Sequence, residues 1–529
     1  MIRRPLAGIL AAATAGLTMA LTASMGAGPA AANTYFPISG TGSTWSENAL
    51  KQWRSNVARN YAMTINYSGA GSTSGRRDFI DGTVDFAISE IPFQSRPEVG
   101  SEPEKPAHGY AYMPIVAGGT SFMYNLKISG KRVTNLRLSG DTITRMFTGA
   151  ITNWNDAAIQ ADNPALAMPN KKIVPVIRSD GSGTTAQFTL WMSTQYPSIW
   201  KTGMTSQFPS FGNSKAQKGS DGVSGYVSQN YGEGAITYVE YSYAKKAGFP
   251  VAKVLNKSGY YIEPTAYSVA VAMLSAKINT DTSSKSYLTQ ILDGVYNSTD
   301  KRAYPLSSYS YAIVPTEVAG IFNTNKGNTL AAFMRYVLCE GQQQADTLGY
   351  SPLPMNLVLA GSDQIKRIPG SGGKGVDTAK CNNPTFKAGD SPSKNQLALI
   401  APQPASCDKK GTSQCKTGTA GAKQDTAVTG TGTGGTSNTG TTTGTTTGTT
   451  GTTSGTTGTT GTTGTDENGN PVTGSTTGDG ATSSPFTLPD QGMGSSQWLM
   501  VASALLLVAA VVVPPLVSRR LRTGSGDAH

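Results

Sequence analysis

The feature that most constrains this chain is a predicted strand, tight loop and helix in residues Lys171–Met192 (KKIVPVIRSDGSGTTAQFTLWM). Ile173–Ile177 is a mostly β-branched run, Gly181 and Gly183 interrupt it, and helical apolar spacing follows. Arg178 lies just before the loop. Unpaired N–H groups at a helix start, together with the helix dipole, favour an anion. In this loop the backbone N–H groups expected to be unpaired are those of Ser182, Gly183 and Thr184. The loop therefore predicts an anion site, although a single loop of this kind is also typical of an ordinary helix cap.

Two further loops of small residues follow the same design. Thr41–Trp45 lies between a predicted strand at Thr34–Ile38 and a helix, and Gly69–Gly75 lies between a predicted strand at Ile65–Tyr67 and a helix. Neither has the glycine spacing of a dinucleotide fingerprint or the lysine of a phosphate loop, so nucleotide binding is not supported. Several helix N-termini in one α/β chain predict a cleft for a multivalent oxyanion.

Two carboxylates accompany these loops. Glu90 follows the buried-strand pattern Val84–Ser89, and ligands of open α/β sheets lie beyond the carboxyl ends of the strands. Because a carboxylate only accepts hydrogen bonds, it favours an anion that still carries a proton, which distinguishes hydrogen phosphate from sulfate. Each carboxylate has a plainer alternative. Glu90 is also consistent with a solvated charge at a strand end, and Asp180 with a partner that orients Arg178.

The overall composition restricts the fold class and the partners. Predicted strands alternate with helices along the chain, which favours an α/β fold. The formal net charge is +11, but only 14% of residues are charged and no Lys/Arg run is present, so no nucleic-acid partner is expected. The histidines are His108 and His529. His108 is expected to be an exposed loop residue, and neither a metal centre nor a cofactor is expected.

Both ends of the chain carry signals for export and anchoring. Residues 1–32 combine Arg3 and Arg4 with an apolar segment and a small-residue cleavage site, which predicts a signal peptide for the general export route. Residues 498–517 are apolar and long enough to span a bilayer, and the arginines of residues 518–529 place that tail in the cytoplasm. We therefore expect an anchor on the extracellular face of the plasma membrane. Cell-wall attachment through Leu488–Gly492 is the alternative, although that segment lacks the threonine at which such signals are cleaved.

Residues 371–497 are predicted to be a linker and tether. Glycine content rises and apolar periodicity fades from Gly370, and Thr429–Thr465 is almost wholly Thr and Gly, a composition that cannot bury a core. The Thr/Gly tether is therefore expected to be disordered.

The chain has four cysteines, and an even count in an exported chain favours disulfides. The close spacing of Cys407 and Cys415 favours a small closed loop. Cys339 and Cys381 would then join the last core helix to the start of the linker. The sequence alone does not fix this pairing.

Five motifs occur in order between about Thr34 and Pro354: GAGSTSG, TVDFAISE, MFTGAITNWNDAAIQADNPALAMPNKKI, IRSDGSGTTAQF and GAITYVEYSYAKK. Together they resemble the phosphate-binding component of the bacterial high-affinity phosphate ABC transporter. The resemblance implies a two-lobed, type II periplasmic-binding-protein-like α/β fold that closes on inorganic phosphate without catalysis and serves an ABC transporter permease. We expect one lobe from residues 33–118 and 265–370, and the other from residues 119–264.

The same resemblance implies which residues contact phosphate. They are Thr44, Trp45, Ser72, Arg178, Ser182, Gly183 and Thr184, with Asp180 supporting Arg178. Glu90 stands where the family usually has an aspartate that accepts the phosphate proton, and Trp45 where phenylalanine is more usual. The C-terminal anchor also departs from the usual pattern.

Three other functions are consistent with the sequence. One is a binding protein for another tetrahedral oxyanion, and a second is a cell-surface sensor or adhesin that reuses the fold. The third is a secreted phosphatase, which the lack of metal-ligand spacing and of a histidine near any nucleophile disfavours.

Overall fold

The computed structural model of the chain describes residues 35–95 and 102–424, together with the short segments 464–465 and 471–472. The chain divides into two compact units, Met1–Thr439 and Gly440–His529. Within the described residues, no helix is long and apolar enough to cross a membrane. The predicted signal peptide (1–32) and membrane helix (498–517) lie outside the described residues.

Strands and helices alternate along the first unit, as predicted for an α/β fold. Its strands are β1 (Ile38–Gly42), β2 (Ile65–Ser68), β3 (Phe86–Ser89), β4 (Tyr110–Tyr124), β5 (Lys127–Ile128), β6 (Lys131–Arg132), β7 (Arg137–Leu138), β8 (Val174–Arg178), β9 (Lys215–Gln217), β10 (Ala235–Glu240), β11 (Val251–Leu255), β12 (Tyr261–Ile262), β13 (Lys277–Ile278), β14 (Gln290–Ile291) and β15 (Ser307–Pro315). Its helices are α1 (Glu47–Tyr61), α2 (Ser72–Ile80), α3 (Gly140–Phe147), α4 (Ala157–Asp162), α5 (Gly183–Gln195), α6 (Gly219–Ser228), α7 (Tyr241–Ala247), α8 (Ala266–Met273), α9 (Asp293–Tyr296), α10 (Thr324–Leu338), α11 (Ala345–Leu348), α12 (Met355–Arg367) and α13 (Gln396–Ile400). In the second unit, β16 (Gly464–Thr465) pairs antiparallel with β17 (Pro471–Val472).

The strands that carry the predicted site belong to one sheet with the order β2-β1-β3-β15-β4-β10-β8-β9. β2, β1 and β3 are parallel to one another, and so are β10, β8 and β9. β15 and β4 lie between these two groups, and each is antiparallel to its neighbours. The sheet thus contains two parallel groups joined through an antiparallel centre.

β4 is the strand that joins the two groups. Its first part pairs with β15, and its last part, Thr120–Tyr124, pairs with β10. The sequence predicts two strands with a break at Gly118 and Gly119, but the strand is continuous. The glycines serve close packing instead of a turn. A Cβ on Gly118 would lie 2.7 Å from Cη2 of Trp45, and one on Gly119 would lie 2.5 Å from Cβ of Pro264.

The β1 strand corrects a predicted boundary. It begins at Ile38, where the predicted strand ends, and it continues through residues Gly40–Gly42, which were expected to be loop. A Cβ on Gly40 would lie 2.3 Å from Cζ of Phe86, so the small residues fit against a large side chain of the neighbouring strand. Glycine here reflects packing between paired strands, which the local pattern does not distinguish from a turn.

Residues 371–424 pack onto the rest of the first unit, although the sequence predicts that the linker begins at residue 371. Phe386 and Leu397 are buried. The disulfides Cys339–Cys381 and Cys407–Cys415 are present, and they are the pairs that the spacing favours. The described residues therefore stay packed for about 50 residues beyond the predicted boundary.

Arg137 shows why apolar spacing did not reveal this segment. Its side chain is 1% exposed, and its Nη1 donates to the carbonyls of Ser413 at 2.7 Å and Cys407 at 3.1 Å. The guanidinium also lies 4.4 Å from the ring centroid of Tyr261. Polar contacts to backbone carbonyls hold this part of the chain, and they leave no periodic apolar pattern in the sequence.

Candidate functional site

Four helix N-termini lie close together in the first unit. Helices α1, α2, α5 and α6 each begin just beyond the carboxyl end of a strand, respectively β1, β2, β8 and β9. The loops that precede them contact one another directly. The N–H of Thr73 donates to the carbonyl of Gly181 at 3.1 Å, and the hydroxyls of Thr44 and Ser220 lie 2.9 Å apart. The structure thus brings together the three loops that the sequence singled out and adds a fourth.

Arg178 ends β8 and forms a bidentate pair with Asp180. Its Nε donates to Oδ1 of Asp180 at 2.7 Å, and its Nη2 donates to Oδ2. The N–H of Gly219 also donates to Oδ1, at 2.9 Å. Burial acts to raise the pKa of Asp180, but the hydrogen bond and positive charge of Arg178 outweigh burial and hold that pKa below its ordinary value. This geometry matches the orienting role that the sequence offered as the plainer alternative for Asp180.

Glu90 lies at the end of β3 and is 0% exposed. Ser72 Oγ donates to its Oε2 at 2.8 Å, and Ser310 Oγ donates to its Oε1. Its backbone carbonyl accepts a hydrogen bond of 2.8 Å from Nε2 of Gln187 on α5. Glu90 is therefore not the solvated strand-end charge of the alternative interpretation. Its carboxylate belongs to the same cluster as the loops.

The N-terminus of α5 both caps the helix and forms a wall of the cluster. Ser182 Oγ accepts from the N–H of Thr185 at 3.2 Å, which is an N-cap bond. The N–H of Gly183 donates to Ser72 Oγ at 3.1 Å. The hydroxyl of Thr184 is buried, and it has no hydrogen-bond partner among the described residues.

One prediction for this loop is wrong in detail. The backbone N–H groups of Ser182 and Gly183 are predicted to be unpaired, but that of Ser182 donates to the carbonyl of Ser206 at 3.0 Å and that of Gly183 donates to Ser72 Oγ at 3.1 Å. The reason is tertiary, because segments distant in the sequence lie against the loop and supply acceptors that the local pattern does not show.

Thr44 and Trp45 have different roles in the first loop. Thr44 Oγ1 accepts from the N–H of Ser220 at 3.1 Å, so it faces the start of α6. Trp45 is 0% exposed, and its N–H donates to Ser43 Oγ at 2.9 Å. Its ring contacts the ring of Tyr350 edge-on, with 5.7 Å between centroids. In this structure Trp45 supports the loop through packing.

Tyr238 on β10 supports the end of β8 and the start of α5. Its Oη accepts from the N–H of Arg178 at 3.2 Å and lies 2.9 Å from Oγ1 of Thr185. Burial raises the pKa of Tyr238 to about 12, so the hydroxyl stays neutral at physiological pH. The ring packs against Phe188 with 4.9 Å between centroids. The backbone that carries Arg178 is thus fixed by a buried aromatic side chain.

Sequence reasoning missed Ser220 and Ser310. Ser220 opens α6 within Lys218–Gly222, a Gly/Ser-rich loop before a helix, so the signal that marked the other loops was present there as well. Ser310 lies inside the fully buried strand β15, where no local pattern marks a serine as functional.

His108 lies outside this cluster. Its side chain is 58% exposed, as expected of a loop residue, and its Nδ1 lies 3.3 Å from Oε1 of Glu317. Among the described residues, no group of His, Cys, Asp and Glu side chains could hold a metal ion. His529 lies outside the described residues.

Comparison with known proteins identifies the family. The profile of the PBP superfamily domain matches residues 27–340. A phosphate-binding protein PstS of Xylella fastidiosa strain Temecula1 is 32% identical over 325 residues, which cover 61% of this chain and 82% of the relative. PstS of Haemophilus influenzae is 30% identical over 332 residues, which cover 62% of this chain and 92% of the relative. A solved structure of a phosphate-binding protein from Stenotrophomonas maltophilia matches with 16% identity and a TM-score of 0.45, covering 60% of this chain and 91% of that chain.

The profile match spans more than half of the chain, and the Xylella relative combines 32% identity with 82% coverage of its own length. The chain therefore belongs to the PBP superfamily and, within it, to the family of phosphate-binding proteins named PstS.

Proposed function

We propose that the chain captures inorganic phosphate between its facing loops for uptake by an ABC transporter. The observation that carries the proposal is the buried guanidinium of Arg178, whose side chain is 2% exposed and faces a cluster of hydroxyls and helix N-termini. The related PstS proteins are named for phosphate binding. They are binding proteins, and so is this chain, which is not an enzyme.

The attraction for the anion comes from Arg178 and the helix N-termini. Arg178 uses Nε and one terminal nitrogen for Asp180, and its Nη1 lies 3.5 Å from Ser220 Oγ. The guanidinium is therefore oriented before the ligand arrives, which lowers the entropy cost of a charge-assisted contact. The proposed phosphate-binding residues are Thr44, Trp45, Ser72, Glu90, Arg178, Asp180, Ser182, Gly183 and Thr184, with Trp45 and Asp180 acting through their neighbours. The hydroxyl of Thr184, which has no partner among the described residues, supports a ligand contact at the start of α5.

Lobe closure is the proposed binding motion. Residues 33–118 and 265–370 would form one lobe and residues 119–264 the other, as in a type II binding protein. β4 supports this division, because its partner changes from β15 to β10 between Gly119 and Thr120. Contacts such as Thr44 to Ser220 and Ser72 to Gly183 then join opposite lobes. Closure would exclude water and strengthen each polar contact to the anion.

Glu90 is the proposed source of selectivity. A carboxylate accepts the proton of hydrogen phosphate but repels sulfate, which has no proton to offer. Replacing Glu90 by glutamine should weaken phosphate binding by about tenfold or more and bring the affinities for phosphate and sulfate closer together. Calorimetric titration of the native and E90Q proteins with both anions tests this.

Glu240 offers a matched control for that test. It is also 0% exposed at the end of a strand, but its Oε2 accepts from the N–H of Ser242 at 2.7 Å as the N-cap of α7, and burial raises its pKa well above the ordinary value. Glu240→Gln should therefore leave both affinities unchanged. Equal affinity of the native protein for phosphate and sulfate would contradict the role of Glu90, and a preference for sulfate would point to another tetrahedral oxyanion as the ligand.

We also propose, from the sequence, that the protein is exported and anchored on the extracellular face of the plasma membrane. Residues 1–32 would direct export, the Thr/Gly-rich segment would act as a tether, and residues 498–517 would span the membrane. The full chain should then resist extraction from membranes with alkaline carbonate, whereas a chain that ends at residue 497 should be released. Recovery of the full chain from the medium or the cell wall would contradict the membrane anchor.

A further inference from the structure

We propose that Ser310 is a positioning residue that fixes the carboxylate of Glu90 and thereby sets the discrimination between phosphate and sulfate. The inference rests on the proposed function, in which Glu90 accepts the ligand proton. Ser310 lies on β15, in the middle of the sheet, and no sequence motif includes it. In this proposal it acts on the ligand only through Glu90.

The contacts of the carboxylate carry the inference. Ser310 is 0% exposed, and its hydroxyl donates to Oε1 of Glu90. The Ser72 hydroxyl accepts from the N–H of Gly183, so its single proton is available for Oε2 of Glu90. Each carboxylate oxygen thus has one hydroxyl donor, and each retains acceptor capacity for a proton from the ligand. Ser46 Oγ lies 3.3 Å from Ser310 Oγ and extends the network to the first loop.

A bulge in β4 places Ser310 beside Glu90. Along the β15 and β4 pair, Ser310 lies opposite Val116 and Tyr311 lies opposite Pro114, so Ile115 has no opposite residue. Proline lacks the N–H for a ladder bond, and in a sheet interior it is typical of a bulge. The carbonyl of Ile115 is instead satisfied by Nε2 of Gln342 at 2.8 Å. A bulge twists the local strand and redirects side chains, which is a recurrent device next to binding sites.

The opposite edge of β15, which pairs with β3, fixes the same position. Tyr311 pairs with Ser89 on β3, so Ser310 is the cross-strand neighbour of Glu90. The N–H of Tyr309 donates to Oε1 of Gln290 at 2.9 Å, and Nε2 of Gln290 donates to the carbonyl of Tyr309 at 3.0 Å. The backbone that carries the Ser310 hydroxyl is therefore held on both sides.

A glutamate needs such a partner more than an aspartate does. Its additional methylene adds a rotatable bond, and an unrestrained carboxylate must be ordered when the ligand binds. Without Ser310, Oε1 would lose its donor and the carboxylate could turn away from the anion. A proton-bearing anion would then lose its acceptor, and sulfate would escape the repulsion that excludes it.

The test compares Ser310→Ala with Ser308→Ala in the full exported chain, using calorimetric titration with inorganic phosphate and with sulfate. Ser310→Ala should lower the ratio of phosphate affinity to sulfate affinity by about tenfold or more, since a hydrogen bond to a charged group is lost. Ser308 lies on the same strand and is 2% exposed, but its hydroxyl has no partner among the described residues. Ser308→Ala should leave the ratio unchanged.

A double-mutant cycle separates positioning from a merely structural role. If Ser310 acts through Glu90, adding Ser310→Ala to the E90Q protein should not change the ratio further. Additive effects, or an unchanged ratio in Ser310→Ala, would overturn the inference. If Ser310→Ala shows no thermal unfolding transition and is therefore not folded, Ser310→Cys takes its place in the same titrations. Cysteine has a similar volume, and its thiol is only a weak hydrogen-bond donor. Failure of the native protein to bind phosphate would overturn the proposed function instead, and the two failures are thus distinguishable.

Discussion

Replacing Arg178 by alanine is expected to weaken phosphate binding by at least about 2 kcal/mol, or about thirtyfold. The substitution removes the buried positive charge of the cluster and its charge-assisted hydrogen bonds to the ligand. It also leaves Asp180, 9% exposed in its side chain, without the guanidinium that pairs with it. An unpaired buried carboxylate would repel the anion, so the measured loss contains both effects. Calorimetric titration with phosphate gives the affinity change directly.

Two further variants help to explain the loss of affinity expected in Arg178→Ala. Arg178→Ala combined with Asp180→Asn removes the unpaired carboxylate, and recovery of part of the affinity would measure its repulsion. Arg302→Ala is the matched control, because Arg302 forms a similar bidentate pair with Asp300, with Nε to Oδ1 at 3.0 Å and Nη2 to Oδ2 at 2.7 Å, outside the cluster. The Arg302→Ala variant should bind phosphate with the native affinity. An unchanged dissociation constant in Arg178→Ala would show that the site lies elsewhere.

The site residues that could be predicted from the sequence are those that lie close to one another along the chain. Arg178, Asp180 and the start of α5 lie within one strand, loop and helix, so a short pattern brings them together. Glu90 was found by its position at the end of a buried strand. Ser310 was not found, because its role depends on the pairing of β15 with β3 and on a bulge in β4. Strand pairing over that separation leaves no local signal.

In the fold, too, local features could be predicted and features that depend on tertiary packing could not. The alternation of strands and helices predicted the α/β class, because each element has its own periodicity. Glycine was ambiguous, since it marks both turns and close packing. The local pattern at Gly40 and Gly118 predicts a loop or a break, but both glycines lie in strands against the large side chains of Phe86 and Trp45. The packed segment 371–424 is not predicted, because its few buried apolar side chains, such as Phe386 and Leu397, have no regular spacing, and polar contacts and disulfides hold much of the rest.

Gly183→Ala is the second substitution with a large expected effect. A Cβ at this position would lie 1.9 Å from Oε2 of Glu90 and 2.6 Å from Oγ of Ser72. Glu90 cannot simply move aside, because it is 0% exposed and each of its oxygens is bound by a serine hydroxyl. Overpacking of this kind costs about 1–3 kcal/mol, which corresponds to about a fivefold to more than a hundredfold loss of phosphate affinity.

The expected loss should fall on binding and spare the fold. In the proposed two-lobed arrangement, Gly183 and Glu90 lie on opposite lobes, so opening the lobes relieves the clash while each lobe keeps its own packing. The thermal unfolding temperature of the phosphate-free protein should therefore change much less than the affinity. Gly225→Ala is the matched control, because Gly225 lies within α6 and a Cβ there would meet no atom of the described residues within 4 Å. If Gly183→Ala binds phosphate with native affinity, phosphate binding does not require the loops to close as they do in this structure. If its unfolding temperature falls strongly, Gly183 and Glu90 are packed together in the free protein as well.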